Sequence, residues 1–342
     1  MQNAILIGGA LASSAVLFGC SNSESSGTAA VDAGWIQPMT PWGEPDLQGS
    51  WPIYHLIGTP LERPESFGER REMNDEEYAA VLERVAQRNT RYDEEIENNQ
   101  MGGGHWAEAT EALRLTSLIV DPPDGRLPEM SEAGKALAAR MGSGWSNTVF
   151  DSIDDFDSWD RCITRGLPVS MLPRNYNNGI RIIQSRGFVA ITIEMAHEAR
   201  IIPIDGRPPL SPAIRQWMGE SRGHFEGNTL VVETTNFNGL TGMTNPGVPG
   251  SPYAPTPTTE QMRLIERFTR TGNDTMNYEI TIEEPVALTQ SWTVAYPMRR
   301  DESYQTFEYA CHEGNTAVRN YIETSRFERG IRGDGIAPQS TN

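Results

Sequence analysis

Gly219-Glu220-Ser221-Arg222-Gly223 fits G-x-S-x-G, the spacing that mounts a nucleophilic serine on a sharp strand-to-helix elbow. That chemistry needs a helix after the serine, because the helix N-terminus supplies an oxyanion-hole amide. Here the chain runs on through a Gly227-Asn228 turn into Leu230, Val232 and Thr234 alternating with Val231, Glu233 and Thr235, which predicts a β-hairpin. Ser221 is therefore read first as a turn hydroxyl between turn-forming glycines, and second as a nucleophile with His312 as its base.

A second constellation is Ile193-Glu194-Met195-Ala196-His197-Glu198-Ala199-Arg200. If two strands meet there, Glu194, His197 and Arg200 converge as carboxylate, imidazole and guanidinium, a set fit for general acid–base work. The structural alternative is a Glu194–Arg200 cross-strand ion pair beside a partly exposed histidine. Asp205 and Arg207 on the following turn, with Trp217 and Glu226, form the expected ligand-binding set. His224 and Glu226 share one face of a strand, yet histidines and carboxylates scattered over the chain do not make a metal-ligand pattern, and neither metal nor cofactor is expected. Asp151, Asp154, Asp155, Asp157 and Asp160 crowd one stretch without the glycine and terminal glutamate of an EF-hand. An exposed acidic loop is the expectation there, calcium at Asp151–Asp160 the alternative.

These residues need elements to hold them. Asn74 and Glu77 have capping-box spacing, and Tyr78, Val81, Leu82, Val85, Tyr92 and Ile96 recur at helical intervals, so a long amphipathic helix follows Asn74. Ser131 caps a shorter second helix. From about Gly179 the pattern changes to short apolar stretches separated by turn residues: IRIIQ, FVAITIEM, ARIIPI, TLVVETTNF, RLIERFTR, MNYEITI, LTQSWTVAY and YQTFEYA. No stretch follows a strand with the helix that a parallel crossover requires. The expected fold is mainly β with N-terminal helices (α+β), an antiparallel meander closing into a β-barrel, with a β-sandwich as rival. Positions 41–330 form the domain, 41–178 helical and loop-rich and 179–327 the meander, with a flexible tail over 328–342. The long 239–259 stretch reads as a lid or a mobile loop, and tryptophans such as Trp51, Trp145, Trp159, Trp217 and Trp292 as core or cavity lining.

The 342 residues carry 28 Lys and Arg against 46 Asp and Glu, a net charge of −18. Such a surface disfavours nucleic acid as a partner. Ala4 to Phe18 is an apolar segment of signal-peptide length, ending in Leu17-Phe18-Gly19-Cys20. It resembles the lipobox of bacterial lipoproteins, which implies a signal peptide over 1–19, lipid on Cys20, a flexible tether over 20–40 and contact with a membrane through that lipid. Ser21 after the cysteine implies sorting to the outer membrane. A secreted soluble protein is the alternative. With Cys20 set aside, Cys162 and Cys311 are expected to form a disulfide in an oxidising compartment, with two buried thiols as the other reading.

Several blocks, "PDLQGSW", "SLIVDPPDGRLP", "DRCITRGLP", "IEMAHEARIIPIDGRP", "WMGESRGHFEGNTLVVETTNF", "ERFTR…DTMNYEITIEEP" and "FEYACHEGN", together resemble a family of exported bacterial proteins over about residues 41 to 327. The resemblance brings no activity with it. The chain departs from the family pattern at Pro209, His224 and Asn228, which weakens any site built on position 209 or 224. Gly49-Ser50-Trp51 ahead of the meander also resembles the lipocalin and calycin barrels, which implies a binder of small hydrophobic molecules or a cofactor-independent catalyst. The leading expectation is an exported lipoprotein that binds a small, largely apolar ligand. The alternative is a cofactor-independent hydrolase, lyase or isomerase with Glu194 or His197 as base and Arg200 or Arg207 holding an anionic group.

Overall fold

The computed structural model of the protein describes residues 28–331. Cys20 and the apolar leader lie outside them, as does most of the C-terminal tail. The fold is mainly β with a few helices, and its strands form two antiparallel sheets.

The first sheet has the order β1-β3-β4-β5, from β1 (Gly49–Ser50), β3 (Ile180–Ser185), β4 (Phe188–Ile193) and β5 (Glu198–Pro203). The second has the order β2-β10-β9-β8-β7-β6, from β2 (Ile119–Asp121), β6 (Glu220–Glu226), β7 (Thr229–Thr235), β8 (Arg263–Arg270), β9 (Thr275–Glu283) and β10 (Trp292–Arg299). Period-two alternation explains both. On β8 Leu264, Glu266, Phe268 and Arg270 turn inward, and on β9 Met276, Tyr278, Ile280 and Ile282 do so. They meet Ile180, Ile182, Val189, Ile191 and Ile202 of the first sheet in one continuous core.

The ladder does not close. β5 pairs with β4 and β6 with β7, but the chain between them, which contains Pro208, Pro209 and Pro212, detours from the sheet. Prolines carry no amide hydrogen for a ladder. The expected barrel is thus a sandwich-like pair of sheets. Residues 304–310, expected as a strand, carry no ladder, and the missing strand is β6, which takes in Ser221.

Asn74 caps α1 (Asp75–Glu97) with the expected capping box: its side chain accepts from the Glu77 amide at 2.9 Å, and Glu77 accepts from the Asn74 amide at 2.8 Å. Ser131 caps α2 (Glu132–Ala138). A third helix, α3 (Ala317–Glu328), falls where strand was expected; Ile322 packs on Phe150 and Phe156 and Val318 joins them.

Three segments expected to be loose make fixed contacts in the residues that are described. Within the expected tether, the Ala29 amide donates to Asn277 Oδ1 at 2.7 Å, and Asn277 Nδ2 donates to the Ala29 carbonyl at 2.8 Å. In the expected tail, Arg329 pairs with Asp151 at 2.6 Å. The 239–259 loop is neither lid nor free: Met243 and Val248 join the core, and the Thr258 hydroxyl donates to the Thr241 carbonyl at 2.7 Å. Cys162 and Cys311 are disulfide-bonded as expected. On the outer side of β10, buried His55 donates through Nε2 to the Pro297 carbonyl at 2.9 Å. Among the described residues no helix is long and apolar enough to cross a membrane.

Candidate functional site

Glu194, His197 and Arg200 do not converge. The β4–β5 ladder ends at Ile193 opposite Glu198, so Glu194 to His197 form the connection, and Ala196 (φ 59°) and His197 (φ 53°) are left-handed there. That reversal sends the three side chains apart. Arg200 goes inward and pairs with Glu266, Nη1 to Oε1 at 2.8 Å, and reaches Ser221 Oγ at 3.2 Å and Thr234 Oγ1 at 3.3 Å; Tyr278 donates to Glu266 at 2.9 Å. The expected Glu194–Arg200 pair is replaced by a buried network that joins the two sheets. His197 is exposed, and no side-chain partner bonds its ring among the described residues.

Ser221 is no elbow and no turn residue. It lies within β6, buried, with Oγ 2.8 Å from Thr234 Oγ1, and its bonds go to side chains rather than to turn backbone. It lines a cleft of about 440 Å³ over the β5–β6 gap with Arg200, Arg207 and Arg222. Each arginine there is already answered by a carboxylate: Glu266, Asp205 and Glu220. Trp217 is half-buried between Gln216 and Met218, which do line the cleft. Glu226 accepts from Arg267 at 2.9 Å and faces His224 at 3.2 Å on the exposed side of β6.

The acidic stretch is used for turns and packing. Asp155 accepts from the Asp151 and Ser152 amides, Asp157 from the Trp159 and Asp160 amides, and Asp160 from the Gly144 amide, while Asp151 faces Arg329. Carboxylates turned to separate donors do not surround one ion. Among the described residues no three His, Cys, Asp or Glu side chains are grouped to hold a metal.

Glu194 instead belongs to a site whose other members, Glu108 and Tyr304, carry no local sequence signal. Its Oε1 accepts from Asn177 Nδ2 at 3.0 Å and the Phe307 amide at 2.7 Å, and its Oε2 from the Gly179 amide at 3.0 Å. The Tyr304 hydroxyl stands 2.6 Å from Glu194 Oε2 and 2.6 Å from Glu108 Oε1. One phenol carries one proton and can donate to one carboxylate at a time, so Glu108 and Glu194 share the Tyr304 hydroxyl. Burial pushes the Glu108 carboxyl above its ordinary range against donation from Tyr304 and Asn178, and the charge of Glu194 adds to the rise. Burial and the charge of Glu108 push the Tyr304 phenol far above its ordinary range.

Glu108 and Tyr304 lie in a cleft of about 570 Å³ with Trp106, Tyr176, Asn177 and Phe307. Its walls come from three loops. Gly102-Gly103-Gly104 lies against the end of α1 so closely that a Cβ at Gly104 would sit 2.2 Å from the Tyr92 carbonyl oxygen, which sets Trp106 at the rim. Asn177, left-handed at φ 53°, turns the chain behind Tyr176. The 301–308 loop is fixed where Asp301 accepts from the Ser303 amide at 2.9 Å and Glu194 from the Phe307 amide. Trp106 meets Tyr176 edge to face at 5.2 Å. No family model matches this chain, and no curated protein or solved structure does either. The site therefore has to be read from its own chemistry: apolar ring faces beside hydrogen-bond acceptors, and no Arg or Lys among the described residues of the lining.

Proposed function

We propose that the protein binds a small, neutral, hydroxylated ring compound, a sugar in chemical class, in the cleft between Trp106, Tyr176, Phe307 and Glu108. The placement of Glu108 and Asn177 among exposed aromatic rings carries this reading. Aromatic faces receive the C–H face of a sugar ring, and carboxylate and amide oxygens accept from its hydroxyls. The ligand stays a small molecule, as the sequence reading expects, but the proposal moves it to the surface, because Trp51, Phe268, Tyr278, Trp292 and Tyr296 fill the space between the sheets. Calorimetric titration with a panel of neutral sugars is the test. Binding that weakens about tenfold or more in Trp106→Ala, a loss of roughly 1.4 kcal/mol or more, supports it; no binding across the panel overturns it.

The doubled contact of Tyr304 favours a second reading, a cofactor-independent hydrolase. Glu108 would donate a proton to the leaving oxygen as the C–O bond breaks and water adds to the ring carbon, the water's proton returning to the Glu108 carboxylate, with Tyr304 and Glu194 as positioning residues. Turnover of a cleft-binding glycoside that vanishes in Glu108→Gln while binding persists supports this reading, and turnover unchanged in that variant removes it. An exported setting is supported by the Cys162–Cys311 bond, which suits an oxidising compartment; the lipid anchor rests on the Leu17-Phe18-Gly19-Cys20 sequence alone. Labelled palmitate incorporated in the wild type and lost in Cys20→Ala would bear that out.

A further inference from the structure

We infer that the ligand is a chain rather than a single ring, bound along an aromatic strip that leads from the Trp106 cleft to a second subsite at Trp145 and Trp159. This rests on the sugar-binding reading above.

The strip is continuous in the structure. Beyond Trp106 and Tyr176, the Tyr176 and Tyr309 rings stack at 6.4 Å. Trp159 Nε1 donates to the Tyr309 hydroxyl at 3.0 Å, and the Trp159 and Trp145 rings are parallel within 1° at 6.2 Å. Trp145 and Trp159 line a second cleft of about 450 Å³, and Glu308 lines both clefts. The strip ends on two indoles that are each more than half exposed, Trp106 at 55% and Trp145 at 56%. Between them Tyr176, Tyr309 and Trp159 are half-buried, and large rings left facing water at both ends of such a strip are what a ligand with repeated apolar faces would cover.

The second cleft is also held in shape. The Arg165 guanidinium lies 4.2 Å from the Trp159 ring centroid and is itself buried, with Nη2 donating to Asn245 at 2.6 Å. Asp160 accepts from the Gly144 amide at 2.7 Å and so fixes the loop that carries Trp145. The Cys162–Cys311 bond joins the segment after Trp159 to the one after Tyr309. Rings ordered before binding lose little freedom on binding.

Charge selects the polymer. Glu108, Glu308, Asp160 and Glu313 face the two clefts, and no Arg or Lys lines either among the described residues. Acidic polysaccharides are repelled; neutral chains with extended, flat linkages fit the strip.

Calorimetry on the full chain with β-1,4-linked glucose and N-acetylglucosamine oligomers, from dimer to hexamer, tests this, with oligogalacturonate as the acidic counterpart. The expected result is affinity that rises about tenfold or more from dimer to hexamer, because each added subsite acts at high effective concentration. Trp145→Ala should remove that gain and leave dimer binding unchanged, while Trp106→Ala weakens every length. Equal dimer and hexamer affinities, a hexamer indifferent to Trp145→Ala, or tighter binding of oligogalacturonate would each overturn the chain inference and leave single-ring binding standing. Self-association of the protein that Trp145→Ala abolishes would overturn it too, by assigning the strip to a second copy. If no oligomer of any length binds, the sugar-binding reading fails along with it.

Discussion

Arg200 on β5 and Glu266 on β8 form an ion pair that crosses from one sheet to the other with both side chains shut away from water. Removing one partner strands a charge, at a cost of about 3–5 kcal/mol, whereas replacing both with apolar side chains is often close to neutral. Glu266→Ala should therefore lower unfolding stability by that amount in urea titrations. Arg200→Met combined with Glu266→Leu should recover most of it, and a double variant as weak as the sum of its singles would refute the assignment.

Tyr304 supplies the proton that separates Glu108 from Glu194. In Tyr304→Phe the two carboxylates face each other without it, and a loss of roughly 1–3 kcal/mol is expected. Protonating one carboxyl restores a hydrogen-bond donor, so the loss should be smaller at pH 4.5 than at pH 8. Equal losses at the two pH values, measured by chemical unfolding, would speak against a shared proton.

Asp157 and His55 titrate in opposite senses over one pH window. Burial pushes the Asp157 carboxyl up to about 6, so its proton stabilises the fold at low pH and that contribution is lost as pH rises through 6. Burial lowers the His55 imidazole to about 4, so stability falls as pH drops from about 6.5 toward 4 and the unfolded chain takes up the proton first. Each effect is on the order of 1–3 kcal/mol. Asp157→Asn keeps an oxygen for the Trp159 and Asp160 amides, and should raise the melting temperature at pH 7 while steepening the decline below pH 6. A decline no steeper than in the wild type would show that Asp157 carries no such offset.

The disulfide closes a separation of 149 residues. In the chain-entropy model a loop of that size restricts the unfolded state by about 4–5 kcal/mol. Cys162→Ser with Cys311→Ser should show a loss of roughly 2–5 kcal/mol in reversible unfolding, and reductant should then have no further effect. A variant as stable as the wild type would mean that the bridge orders its loops without stabilising the whole.

Local signals in the sequence were readable because neighbours in the chain produce them. The Asn74–Glu77 capping box and the alternation of β8 and β9 depend on contacts a few residues or one hairpin away. The gap between β5 and β6 was not readable, because eight regular strands suggest closure, and the prolines that prevent it resemble ordinary turn residues. Glu194 and Arg200 looked like partners until two left-handed residues between them reversed the chain. The Glu108–Tyr304–Glu194 group unites residues 196 and 110 positions apart, so no local pattern marks it. The available hint was compositional: Trp, Tyr and Phe set among Gly, Asn and Glu in "GGGHWAE", "NYNN" and "YQTFEY". Aromatics in such company sit in loops, wholly or partly open to water, and the alternation in "YQTFEYA" imitates a strand.

The bond between His55 and Pro297 bears on how the protein avoids its own kind. Among the described residues β2 covers β10 only at Thr293 and Val294, and beyond that the outer margin of the six-stranded sheet has no neighbouring strand. An unpaired margin is a template on which another chain's strand can extend the sheet. At Pro297 there is no amide hydrogen to offer, and His55 already occupies the carbonyl. A strand added at that point would find no amide donor and a carbonyl already bonded.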